Sequence, residues 1–418
     1  MYSVDEWNRY GDELRRPLMV AEGLGLAKKI CVVGAGLSGL TVAYRIASKR
    51  RDVSVEIVER TERCGGTIET WSRDGWTCDV AVNATRAHPA FWRLVRDIGL
   101  EALFSSSNPL ATDRWIYTGG SSSKLTPWMI LKKGPFKLFK GVRNSRKGKS
   151  SVSEAMPIPM VSDAMTLGIV NDVAANVDAD FLMPSMTKFG NNPPVKWGKI
   201  KKNMAATYPL FTPKKGSIAS FEGGMEVLVD RLVDRLNQLE NVHFSMGHEL
   251  TTPEKIAEER DVPLSSVVWC APLNRKEHDY TQLRIFAVGY AEEDCKDVPL
   301  GYGTLIPDTS CPISGILHES DVHQSSRAPA GFRLFRIMCP TTRSGTNEEI
   351  KRSLRSTLCD AEPAMFEEIG TRRIPSYPPG YMASIENNNP DMTRAGWFFS
   401  GVSVTHVVAE AERIADVF

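Results

Sequence analysis

Short apolar runs that end in glycine turns alternate along this chain with stretches whose apolar residues recur every three or four positions, the signature of an α/β protein. Ile30, Cys31, Val32 and Val33 form a continuous apolar run, as a parallel strand buried on both faces does. Leu37, Leu40, Ala43, Tyr44 and Ala47 follow at helical intervals, and Val53, Val55, Ile57 and Val58 predict a second strand ending at Glu59. Farther on, Phe91, Leu94, Val95 and Ile98 predict a helix, and Trp115 to Tyr117 a strand closed by a turn at Gly119, Gly120 and Ser121 to Ser123. Leu228, Leu232, Leu236 and Leu239 share one helix face after Gly223 and Gly224. Strands are expected at 242–244 and 266–270, and those at 283–290, 315–317 and 332–338 suggest a second, more antiparallel sheet. Near the C-terminus, Trp397, Phe398 and Phe399 read as a strand entering Gly401, and Val404, Val407, Val408, Ala411, Ile414 and Phe418 as a helix face.

Composition narrows the classes. The 418 residues suit two or three domains, and 51 Lys plus Arg against 50 Asp plus Glu excludes affinity that rests on overall basicity, so no nucleic-acid partner is expected. The eight cysteines form no CxxC pair and the seven histidines lie at no ligand spacing to them, so neither a metal site nor a disulfide framework is expected. No run of 18 apolar residues spans a bilayer. Residues 1–29 balance five acids against five bases, unlike a transit or signal peptide.

The turn after the first strand carries the chemistry. Gly34, Gly36 and Gly39 stand at GxGxxG spacing, with Ala35, Leu37 and Ser38 between them, and Glu59 lies twenty residues past Gly39. Glycines there allow a pyrophosphate close to a helix N-terminus, while the acid accepts hydrogen bonds from a ribose. Glu59, Arg63, Gly65 and Gly66 then form ExxxRxGG, which resembles the second FAD signature of amine oxidase and protoporphyrinogen oxidase flavoproteins and makes FAD the expected cofactor over NAD.

Residues 124–149 hold Lys124, Lys132, Lys133, Lys137, Lys140, Arg143, Arg146, Lys147 and Lys149 and no acid, interleaved with Trp128, Met129, Ile130, Leu131, Phe136, Leu138 and Phe139. Lys196, Trp197, Lys199, Lys201 and Lys202 repeat the pattern. Such a stretch reads either as a contact for an anionic membrane surface or as a solvated basic loop beside core aromatics.

Taken in order, these pieces resemble the oxygen-dependent, FAD-containing protoporphyrinogen oxidase family across residues 29–418: FEGGMEVL at Phe221 to Leu228, VVWCAP at Val267 to Pro272, GYGTLIP at Gly301 to Pro307, and RIPSYPPGY at Arg373 to Tyr381. The resemblance implies an α/β fold with a Rossmann-like FAD-binding domain (30–90, 219–275 and 390–418), preceded by an N-terminal extension, 1–29. It also implies a substrate domain on a mixed or antiparallel sheet (91–123 and 276–389) and a helical, basic membrane-binding insertion (124–218). It implies non-covalent FAD held by Gly34 to Gly39, Glu59, Arg63, Gly65, Gly66, Thr67, Leu250, Val402, Ser403 and Val404. The implied substrate is protoporphyrinogen IX, which loses six hydrogens to dioxygen through the flavin and yields hydrogen peroxide, in contact with Asn83, Arg86, Tyr302, Gly303, Leu305, Leu317 and Ile337. No catalytic side chain is implied, because the flavin carries the chemistry. The implied location is peripheral, on the mitochondrial inner membrane, and a homodimer is compatible with it. Two departures stand out: the family's GPR motif is replaced by Ala81, Val82 and Asn83, and the C-terminal FAD motif has one glycine between Trp397 and Val402 where the family has two. An amine oxidase-like enzyme of other substrate, or a non-catalytic member retaining the fold, stay open as alternatives.

Overall fold

The computed structural model describes residues 4–86, 88–126, 135–184, 186–187, 218–249, 251–272, 279–343, 345–386 and 390–418. Two sheets organise them. The first is wholly parallel, in the order Thr393–Arg394, Val267–Trp269, Lys29–Val33, Ser54–Val58, Val242–Ser245. Its apolar run is buried on both faces as the pattern requires. Ile30 and Val32 meet the helices Leu37–Lys49, Glu226–Asn237 and Val404–Ala415, whereas Cys31 and Val33 meet Ile256 and Trp269 on the other side.

The second sheet runs Met365–Pro375, Tyr280–Ala291, Phe332–Pro340, Gly315–Leu317, Gly303–Leu305, Arg114–Thr118, Ser121–Lys124. It is antiparallel except where Gly303–Leu305 lies parallel to Arg114–Thr118, so the sheet is mixed. One face packs Phe286, Val288, Phe335 and Ile337 against Ile350 and Leu354 of the helix Asn347–Thr357. The other face is turned toward a cavity between the two sheets.

Two expected elements need correction. Ser121 to Ser123 are not turn residues: Gly119 and Gly120, at φ of +60° and +81°, make the turn alone, and Ser121–Lys124 returns as a strand. Trp397 to Phe399 are not a strand but the short helix Trp397–Ser400; the strand ends earlier, at Arg394, because Gly396 at φ +103° turns the chain out of the sheet. The N-terminal extension packs into the fold: Tyr10, Leu14 and Leu24 lie in the core and Met19 bridges Arg394.

Within 124–218, the described residues form the helices Pro135–Ser145, Val152–Ala155, Pro159–Val170 and Ala179–Leu182. Phe136 is exposed, followed by exposed Lys137 and Lys140. Trp128 to Lys133 and the cluster Lys196 to Lys202 lie outside the described residues. Among the described residues, no helix is long and apolar enough to cross a membrane.

Candidate functional site

A cavity of about 2390 Å³ lies at the carboxyl ends of the parallel strands and extends across the inner face of the mixed sheet. Pockets for one small ligand usually enclose roughly 300–1,000 Å³, so this one has room for a dinucleotide and a large substrate together.

The dinucleotide end is built by backbone. Gly34, at φ +103°, donates to Val58 O at 2.7 Å and so closes the first strand onto the second. Gly39 lies under that turn, where an added Cβ would sit 1.9 Å from Gly34 O. At Gly36, by contrast, an added Cβ would meet nothing nearer than 3.9 Å, so this backbone faces open space. Gly36 precedes the helix Leu37–Lys49 and caps it with no side chain, which leaves its first N–H groups and the positive end of its dipole for an anion.

Glu59 ends the second strand. One carboxylate oxygen accepts from Ala35 N at 2.8 Å and the other from Thr61 N and Oγ1 at 3.0 and 2.9 Å. The chain then folds back: Gly65 N donates to Ala35 O at 2.7 Å, Gly36 pairs with Gly65, and Arg63 bonds Ile68 O, Gly66 O and Glu226. The ExxxRxGG stretch therefore forms a second wall of the same cradle.

A second helix N-terminus faces the cavity. Val402, Ser403 and Val404 line it, and Ser403, which opens the helix Val404–Ala415, makes no side-chain capping bond. Gly396 N donates to Glu410 Oε2 at 2.7 Å. Burial pushes the Glu410 carboxyl up to about 8 against that bond, which lowers it, so the group is protonated near neutrality. His406 in the same helix is held well below its ordinary range, first by burial and then by the charges of Arg16 and Arg86, and is neutral.

The substrate end is apolar with cationic points. Leu305, Leu317 and Met338 line it from the sheet, and Val161, Ala164, Met165, Gly168 and Ile169 from the helix Pro159–Val170. Arg86, Arg114, Arg336, Arg372 and Arg373 border it, while among the described residues the lining carboxylates are Glu59 and Glu249, both at the dinucleotide end. Most of these arginines are engaged. Arg336 donates to Asp79 O at 2.6 Å and lies 3.3 Å from Glu319, and Arg114 and Arg373 sit over the rings of Tyr302 and Tyr280. Arg372 has no hydrogen-bond or ion-pair partner among the described residues, and its Nε is buried. Burial and then the charge of Arg336 lower it to about 10, a cation still at neutral pH. Asn83 Nδ2 is likewise buried without a partner and borders the same space.

Of the residues singled out from the sequence, Gly34, Gly36, Leu37, Ser38, Glu59, Arg63, Gly65, Gly66, Thr67, Val402, Ser403 and Val404 line the dinucleotide end. Asn83, Arg86, Tyr302, Gly303, Leu305 and Leu317 line the rest. Ala35 and Gly39 are buried behind the wall and shape it. Ile337 is a correction: strand side chains alternate, and Ile337 points into the core on the far face, leaving Arg336 and Met338 to face the cavity. Leu250 lies outside the described residues. Arg372 and the Pro159–Val170 face were missed; the face is visible in retrospect as apolar or small residues at 161, 164, 165, 168 and 169.

Fold and cavity define a Rossmann-type, dinucleotide-binding architecture with a second, mixed sheet. A family model for NAD(P)-binding Rossmann-like domains matches residues 32–98. Protoporphyrinogen oxidase 2, chloroplastic/mitochondrial, of Arabidopsis thaliana is 24% identical over an alignment of 479 positions covering 93% of each chain. The L-amino-acid oxidase of Protobothrops flavoviridis is 31% identical over 128 residues, 30% of this chain and 24% of that one. Among solved structures, a protein of Exiguobacterium sp. 255-15 described as a candidate protoporphyrinogen oxidase superposes with a TM-score of 0.65 at 15% identity, covering 93% of this chain and 98% of that one. Reduced UDP-galactopyranose mutase gives 0.63 at 13% identity, covering 93% of both. These likenesses show the fold that those proteins share, and the cofactor they support is FAD. The two-walled cradle fits it: the chain past Glu59 returns to the glycine turn, and a second helix N-terminus without a side-chain cap, which favours negative charge, lines the same cavity.

Proposed function

We propose that this protein oxidises protoporphyrinogen IX to protoporphyrin IX, with dioxygen as final acceptor and hydrogen peroxide as the reduced product. The observation that carries the reading is the substrate end itself: large, apolar, free of carboxylates among its described lining residues, and bearing Arg372, which has no partner among them, with Arg86 and the Asn83 amide also on the cavity wall. Such a surface suits a broad apolar macrocycle with two propionates, since a guanidinium or amide donor is matched by a carboxylate. A cationic amine would meet several arginines and no counter-charge there. Distant likeness over nearly the whole chain to a relative named protoporphyrinogen oxidase adds support.

In this mechanism FAD, when bound, takes up the hydrogens and returns the electrons to dioxygen. The protein's own work is placement. Leu305, Leu317, Met338 and the face of Pro159–Val170 exclude water from the reacting carbon, and Asn83, Arg86 and Arg372 fix the propionates so that one meso carbon stays toward the flavin end. By the resemblance, Asn83 stands where the family's GPR arginine falls, and Arg86, at a second family position three residues later, substitutes for it as the propionate partner. The uncapped N-terminus of Val404–Ala415 favours the negative charge that accompanies reduction.

We further propose peripheral attachment to the mitochondrial inner membrane through residues 124–218. Exposed Phe136, followed by exposed Lys137 and Lys140, supports this, an apolar anchor beside charges that attract anionic lipid. Flotation with cardiolipin-containing vesicles tests it, and absence of binding at low salt rejects it. For the reaction, FAD-loaded protein given protoporphyrinogen in air should produce porphyrin fluorescence faster than the buffer alone. FAD-loaded protein without turnover would reject the assignment and favour a non-catalytic role.

A further inference from the structure

We propose that the N-terminal segment 10–21 is a working part of the cofactor site, and that Arg16 is a cofactor-contacting residue supplying a fixed positive charge beside the second helix N-terminus. Nothing in the reading of the reaction uses this segment, and the inference holds whatever the substrate is.

Arg16 is buried, with 3% of its side chain exposed, yet it borders the cavity. It stands against the turn that leads into Val404–Ala415. Gly401, at φ +90°, favours glycine, and an added Cβ would be crowded, 3.3 Å from the Arg16 Cζ and Nη2 and 3.1 Å from His406 Nδ1. The turn whose residues Gly401 to Val404 line the cavity therefore rests directly on this guanidinium.

The guanidinium is oriented by partners from two parts of the chain. Nη1 donates to Glu13 Oε2 at 2.6 Å, and Nε and Nη2 donate to Phe181 O at 3.3 and 2.9 Å. One N–H on each terminal nitrogen is left without a protein partner among the described residues. Glu13 is held in turn: its carboxylate lies 3.2 Å from His406 Nε2, and its carbonyl accepts from Arg413 Nη1 at 2.7 Å. On the far side, Arg394 N donates to Met19 O at 2.9 Å and Ala21 N to Thr393 Oγ1 at 3.1 Å. The segment thus straps the edge of the parallel sheet to the C-terminal helix and to the insertion at Phe181.

Desolvating an ion pair this completely gains little stability over an apolar pair of the same volume. A pair kept at a cavity wall, with spare donors and beside an uncapped helix end, is suited to an anionic group in that cavity. The pyrophosphate would have its own helix terminus at Leu37–Lys49, so the group facing Arg16 would be the flavin end of FAD, whose ring carbonyls accept hydrogen bonds from the spare donors and which takes negative charge on reduction.

The test is FAD affinity of the apoprotein, read by flavin fluorescence, together with the apoprotein melting temperature. The double variant Glu13→Gln/Arg16→Gln removes both charges without stranding either. Its FAD dissociation constant should rise about tenfold or more, with the apoprotein melting temperature close to wild type; wild-type affinity would overturn the proposal. Should the double variant fail to fold, Arg16→Lys decides, because an ammonium keeps the charge but cannot span Glu13 and the Phe181 carbonyl as a planar fork does. Several-fold weaker FAD binding at an unchanged apoprotein melting temperature is expected. Unchanged affinity, or weakening that merely follows a fall in apoprotein stability, would show Arg16 to be structural only.

Discussion

Replacing Gly36 and Gly39 separately by alanine divides fold from cofactor binding at neighbouring positions of one motif. At Gly36 the backbone has φ −73° and ψ 176°, which any residue adopts, and a Cβ would find nothing within 3.9 Å. Less freedom in the unfolded chain contributes about 0.4–1 kcal/mol to stability, and losing glycine at a helix N-cap offsets much of it. Gly36→Ala should therefore melt as an apoprotein within a fraction of a kcal/mol of wild type. The new methyl projects where the phosphates approach the helix N-terminus. Displacing one charge-assisted hydrogen bond costs about 1.5–3 kcal/mol, or roughly 10- to 150-fold in the FAD dissociation constant. At Gly39 the same methyl would lie 1.9 Å from Gly34 O and 3.2 Å from Val32 Cγ1, so helix and strand must separate. Overpacking of this kind costs about 1–3 kcal/mol, partly offset by the roughly 1 kcal/mol that alanine gains over glycine inside a helix. Gly39→Ala should lower the apoprotein melting temperature as well as FAD affinity. Thermal melts of both apoproteins beside flavin fluorescence titrations supply the comparison. A Gly36→Ala protein that binds FAD as wild type does, or that loses as much stability as Gly39→Ala, would refute the reasoning.

Other outcomes follow from the same geometry. Arg372→Met should raise KM for protoporphyrinogen about tenfold or more, the worth of a charged hydrogen bond, while leaving FAD content unchanged; steady-state kinetics on loaded enzyme would expose an unaltered KM. Because the folded pKa of Glu410 is raised to about 8, the folded state holds more protons than the unfolded one above the ordinary carboxylate range. That contribution is complete at acid pH and is lost as pH rises through about 8, so Glu410→Gln should flatten the fall of stability across this window in denaturant titrations; parallel wild-type and variant curves would contradict it. Burial pushes the Cys270 thiol up to about 12, so brief iodoacetamide treatment of native protein near pH 8 should leave this cavity residue unmodified by mass spectrometry.

The dinucleotide end was legible because its physics is local. A strand buried on both faces, a glycine turn and a helix follow one another within a few residues, and the acid at Glu59 is fixed by the next strand's length. The phase of a long antiparallel strand is less local: Ile337 suits a core as well as a cavity wall, and packing against the Asn347–Thr357 helix decides which face it takes. Trp397 to Phe399 have the composition of a strand, but the positive φ of Gly396 overrides it. Arg16 was invisible for another reason. Its partners at Phe181 and near Arg413 stand 165 and about 400 residues away, and no spacing rule connects them.

The central claim is that the cavity brings protoporphyrinogen to a bound flavin. Mixing the FAD-loaded protein anaerobically with protoporphyrinogen, and following the visible absorbance of the flavin, tests it directly. The account predicts bleaching at a rate that saturates with substrate, and recovery of the absorbance with porphyrin fluorescence once air is admitted. Flavin that stays oxidised in the presence of saturating protoporphyrinogen would contradict it.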